Sequence, residues 1–105
     1  MEIIRTVTFT KAIAKLKVTA AELEALESEI VSNPLAGDVI QGLKGIRKIR
    51  FAYGGRGKRG GGRCIYLMLQ VEASIYLLLA YGKAKQTDLS RKQRDDLLNF
   101  IEDLQ

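Results

Sequence analysis

The chain opens with Ile3, Ile4, Val7 and Phe9 set among Thr6, Thr8 and Thr10. Branched and aromatic residues of this kind suit a pleated surface, and the pattern predicts a short first strand. Lys11 to Lys17 reads as a short helix. Thr19-Ala-Ala-Glu22 is a capping box, in which the hydroxyl and the carboxylate each accept from the other residue's amide. Leu23, Leu26 and Ile30 follow on one helical face, and Asn33-Pro34 ends that helix. Its other side carries Glu22, Glu24, Glu27 and Glu29, which reads as a solvated face.

After a connector from Asp38 to Gly45, the spacing changes to period two. Between Ile46 and Phe51 cations alternate with Ile and Phe, predicting a strand whose two faces meet different surroundings. Arg63 to Val71 and Ser74 to Tyr81 are β-rich runs joined at Glu72-Ala73, the spacing of a tight hairpin between strands covered on both faces. Ser90-Arg-Lys-Gln93 is a second capping box, and Leu97, Leu98, Ile101 and Leu104 form the stripe of a C-terminal helix. The order β-α-α-β-β-β-α predicts an α+β fold: a small antiparallel sheet with two N-terminal helices packed on it and a C-terminal helix. With 105 residues and no composition break or internal repeat, one domain over 1–105 is expected.

Charge changes the picture more than composition does. The 47% of hydrophobic residues is ordinary, but 17 Lys and Arg against 12 Asp and Glu leave +5, which favours a polyanionic partner. One cysteine and no histidine leave no disulfide within the chain and no Cys/His metal site. Cys64, at a strand start beside Arg63, is expected to pack inward, and it lacks the histidine that usually activates a thiol nucleophile. The start MEIIRTVTF is too short an apolar run for a signal peptide, and Gln70 and Glu72 interrupt the longest apolar region. No membrane association is expected, and the cytoplasm is the expected location.

The stretch GGRGKRGGGRCIYL, Gly54 to Leu67, concentrates the basic character. It contains a G-x-G-x-x-G spacing, yet a strand follows where a dinucleotide site needs a helix N-terminus. Lys58 is followed by Arg59, where a Walker loop needs Ser or Thr for magnesium. A solubilising hairpin or an Arg-Gly segment for single-stranded RNA would also explain the composition. The surroundings favour a binding role. Lys44, Arg47, Lys48, Arg50, Arg56, Lys58, Arg59 and Arg63 follow one another, and no acid appears before Glu72. Such repulsion is relieved when a polyanion arrives. Lys48 and Arg50, two apart on a strand, share a face that Arg63 can join across the hairpin.

The combination LKGIRKIRFAYGGRGKRGGGRCIYLML, a hairpin to IYLLLAYGKAKQTDLS and an amphipathic last helix resembles the RelE/HigB-like toxins of bacterial type II toxin–antitoxin systems, the RelE/ParE superfamily. The resemblance implies a microbial-ribonuclease-like fold and a metal-independent endoribonuclease, or mRNA interferase, that cuts mRNA on the ribosome and inhibits translation. It also implies neutralisation by a cognate antitoxin of helix-turn-helix type, and no cofactor. Lys48, Arg50 and Arg63 match the basic active surface of the family, with Lys58, Lys83 and Lys85 adjacent. The alternative is a catalytically inactive module of the same fold that only binds RNA or antitoxin.

RNA cleavage requires an activated 2′-OH, a stabilised pentavalent phosphate and a protonated leaving oxygen. Arginine never becomes a base, so Arg50 and Arg63 are assigned to phosphate. Lys48 crowded by cations is the candidate base, and Lys83, Lys85 or Tyr81 the candidate proton donor. Where relatives carry a tyrosine near the start of the last helix, this chain has Asp88, Leu89 and Ser90. Base stacking then falls to Tyr53 or Tyr81, with Arg47, Arg56, Lys58, Arg59 and Lys85 as further RNA contacts.

Overall fold

The computed structural model describes residues 1–55, 57 and 61–104. Strand β1 is Glu2–Arg5, shorter than the threonine-rich pattern predicts. Thr6 is the reason: its Oγ1 accepts from the Phe9 amide at 3.2 Å and caps helix α1, Val7–Leu16. Phe9 is thereby carried into the core on a helix, not on a strand.

Helix α2 spans Ala20–Ser32 behind the predicted capping box, with Thr19 N–H donating to Glu22 Oε1 at 2.9 Å and Glu22 N–H to Thr19 Oγ1 at 3.1 Å. Its acidic side is not simply solvated. Glu27 receives both a 2.6 Å and a 2.8 Å bond from the Arg5 guanidinium, and the second oxygen of Glu22 accepts from the Gly54 amide at 2.8 Å.

The connector contributes the two-residue strand β2, Asp38–Val39, before β3, Arg47–Phe51. Strands β4, Gly62–Leu69, and β5, Ser74–Gly82, are followed by helix α3, Arg91–Leu104. Sheet order is β1-β5-β4-β3-β2, antiparallel from β5 to β2, with β1 added parallel to β5, so the sheet is mixed. The β4–β5 connection is wider than a two-residue hairpin: Gln70–Glu72 form a 3-10 turn and Ala73 sits at φ +52°. The second capping box forms as predicted, through Ser90 N–H to Gln93 Oε1 and Gln93 N–H to Ser90 Oγ.

Both sheet faces are covered. One packs Ile49, Phe51, Cys64, Tyr66, Ile75 and Leu77 against Phe9 and Ile13 of α1 and Leu26 and Ile30 of α2. The other packs Ile65, Leu67 and Leu78 against Leu43, Ile46, Leu89, and Leu97 and Ile101 of α3. Each such side chain contributes about 1.5–3 kcal/mol through burial, which explains why the β4 and β5 runs are almost continuously apolar. Tyr66 is wholly buried, but its hydroxyl donates to Pro34 O at 2.8 Å and accepts from Gly37 N–H at 2.9 Å. A Cβ at Gly37 would fall 2.8 Å from that hydroxyl, which accounts for glycine there. Among the described residues no helix is long and apolar enough to cross a membrane.

Candidate functional site

Alternation along β3 sorts its side chains. Ile49 and Phe51 enter the core under α1 and α2, so Lys48 and Arg50 point to the α3 face. On β4, Cys64 and Tyr66 lie under the N-terminal helices, and Arg63 and Ile65 point the other way. In register, Arg50 lies opposite Arg63, and Arg63 opposite Tyr81 of β5. Arg50, Arg63 and Tyr81 therefore form one row across three strands, and Lys48 opens the next row opposite Ile65.

Exposure varies steeply along that row. Arg50 is exposed and Lys48 half-buried, whereas Arg63 is only 6% exposed. The three do not share an open concavity of uniform access. Arg63 Nη1 donates to Gly62 O at 3.0 Å, which holds its guanidinium beside the backbone at the start of β4. Tyr81 is 5% exposed, and its hydroxyl has no hydrogen-bond partner among the described residues. Burial holds the Tyr81 phenol above its ordinary pKa; Asp88 adds to that shift and Arg63 opposes it, so both charges lie within electrostatic reach of the hydroxyl.

Lys48 has surroundings that the local sequence does not disclose. Strand β2 sets Asp38 directly opposite it, and both line a hollow of about 420 Å³ with Asp88 and Arg94. Arg94 is fixed there by a 2.7 Å bond from Nη2 to Gln41 O. Arg47, by contrast, points to the opposite face, where Nη1 donates to Gly37 O at 2.7 Å and Leu35 O at 3.2 Å. The cation crowding expected around Lys48 is thus partly replaced by carboxylates, and Arg47 braces the loop after α2.

The remaining predicted residues divide by position. Lys83 and Lys85 are exposed in the turn after β5, where Lys83 N–H donates to Gly61 O at 3.0 Å and keeps this turn at the Arg63 end of the sheet. Tyr53 is 5% exposed and packs on Phe51 with ring centres 5.6 Å apart, under the N-terminal helices. Neither Tyr53 nor Tyr81 offers an open ring for base stacking. Arg56, Lys58 and Arg59 lie outside the described residues. Asp38, Asp88 and Arg94 escaped sequence reading because they join Lys48 only through the β2–β3 pairing and the packing of α3 and the loop before it.

No family model matches the sequence. Among solved structures the chain is similar to the E. coli toxin RelE, determined as a double arginine-to-alanine mutant in the free state. The TM-score is 0.56 at 13% identity, over 82% of this chain and 86% of that one. This likeness and the element order define a RelE-like fold.

Proposed function

We propose that the protein is the toxin of a type II toxin–antitoxin pair, an endoribonuclease that cleaves mRNA on the ribosome and is neutralised by a cognate antitoxin of helix-turn-helix type. The observation that carries this reading is the Arg50–Arg63–Tyr81 row with Lys48 beside it on one face of a RelE-like sheet. In the cleavage step the 2′-oxygen attacks the adjacent phosphorus, the bond to the 5′-oxygen breaks, and a 2′,3′-cyclic phosphate remains. Arg50 and Arg63 compensate the charge that builds on the phosphoryl oxygens. Lys48, which lines a hollow with Asp38 and Asp88, orients the phosphate and is the candidate to take the 2′-OH proton. Lys83 or the Tyr81 hydroxyl returns a proton to the leaving oxygen.

The test is primer extension on a message translated with and without the protein. New 5′ ends that disappear with Arg63→Ala are expected; intact message at micromolar protein would reject the activity. A second reading, a binding module without catalysis, is favoured by the burial of Arg63 and Tyr81. It predicts harmless expression together with retained RNA or antitoxin binding.

A further inference from the structure

Four charged side chains from four parts of the fold meet at one hollow: Asp38 of β2, Lys48 of β3, Asp88 of the loop before α3, and Arg94 of α3. Its volume, about 420 Å³, falls in the range of roughly 300–1,000 Å³ typical of small-molecule sites. Two acids and two cations so placed could pair off, yet among the described residues none of the four forms an ion pair.

Their hydrogen-bonding groups are instead left open in a fixed arrangement. The Asp38 carboxylate accepts no hydrogen bond among the described residues. Asp88 Oδ1 accepts from the Leu89 amide at 2.8 Å, which orients the carboxylate and leaves Oδ2 open. Arg94 Nη2 donates to Gln41 O at 2.7 Å, which anchors the guanidinium and leaves Nε and Nη1 open. Val39 and Ile40 add apolar surface to the lining.

Open acceptors beside open donors select the ligand. The carboxylates repel a bare phosphate, and Lys48 and Arg94 repel a metal cation. A planar group with N–H donors on one edge and acceptors on the next satisfies both sets. Among the nucleobases this is guanine, with N1–H and N2–H₂ side by side for a carboxylate and O6 and N7 side by side for an arginine. Adenine and cytosine offer a single exocyclic amino group, and uracil a single ring N–H between two carbonyl oxygens.

We propose that the hollow is a guanine-selecting subsite, in which Asp38 and Asp88 accept from N1–H and N2–H₂ and Arg94 donates to O6 and N7. Lys48 connects it to the phosphate row, because it lines the hollow and stands on the β3 face that carries Arg50. The base therefore belongs to a nucleotide next to the phosphate held there. The inference rests on the RNA reading of that face and adds specificity-determining residues to it.

The test uses the full-length ¹⁵N-labelled chain and non-cleavable deoxyhexamers of thymine with one central guanine, adenine, cytosine or hypoxanthine. The guanine oligomer is expected to bind about tenfold more tightly than the adenine and cytosine ones and to shift amides at Asp38–Gln41 and Arg94. Hypoxanthine, which lacks the N2 amino group, falls between. Asp38→Asn moves the preference from guanine towards adenine, since a carboxamide pairs with adenine's donor and acceptor. Equal affinity for the four oligomers with shifts confined to Lys48 and Arg50 would overturn the subsite and leave the RNA reading standing. Guanine-selective binding without cleavage of a translated message would uphold the subsite and reject the nuclease. No binding of any oligomer at millimolar concentration would overturn both.

Discussion

Arg50 and Arg63 stand directly opposite each other in the β3–β4 ladder, one exposed and the other buried. Like charges in that relation repel, and an anionic group beside them relieves the repulsion. On the proposed function the scissile phosphate is such a group.

Replacing Arg50 by Gln should therefore separate stability from activity. The urea midpoint is expected to rise by the equivalent of roughly 0.2–1 kcal/mol, the range for a cross-strand pair, while RNA cleavage falls. A variant that loses both stability and activity would mean that Arg50 is held by favourable contacts.

Tyr81→Phe removes a buried hydroxyl that has no partner among the described residues. Stability should hold or increase, since an unsatisfied buried group costs about 1–3 kcal/mol. If the hydroxyl protonates the leaving oxygen, kcat falls and KM does not. Burial and Asp88 raise the phenol's pKa, so tyrosine absorbance near 295 nm should show at least one ring titrating above the ordinary value near 10.

Glu22 links α2 to the start of the glycine-rich loop. The amides of Thr19 and then Gly54 hold its carboxyl below the ordinary range. A carboxyl depressed in the folded state adds stability that is present above its unfolded pKa and lost as pH falls through the folded value. Stability measured from pH 6 down to about pH 3 should therefore decline less steeply in Glu22→Gln than in the parent, with the difference appearing below about pH 4.3, the unperturbed value.

Cys64 is fully buried, and burial pushes its thiol far above the ordinary pKa. The folded protein should leave a thiol reagent such as dithionitrobenzoate unreacted and consume one equivalent on denaturation. Rapid reaction in the native state would contradict the packing described for β4.

How much of this was legible beforehand follows from the range of the interactions. Both capping boxes, the apolar β4 and β5 runs and the shared face of Lys48 and Arg50 depend on residues a few positions apart, where periodicity and hydrogen-bond geometry act directly. The same period of two places Arg47 opposite Lys48, so including it among the RNA contacts gave charge precedence over geometry. The end of β1 was misread because Thr6 is equally at home in a strand or at a helix cap, and only the bond to the Phe9 amide decides. Asp38 and Asp88 approach Lys48 from ten and forty positions away, by pairing and packing that no local pattern encodes.

The central claim is that Lys48, Arg50 and Arg63 receive a polyanion. Its most direct test is the salt dependence of affinity for a non-cleavable 2′-deoxy-substituted oligonucleotide, compared between the parent and Arg50→Ala. Loss of one phosphate contact should lower affinity and make the slope of log K against log salt shallower by about 0.7, the value for single strands. Parallel lines of equal affinity would contradict the account.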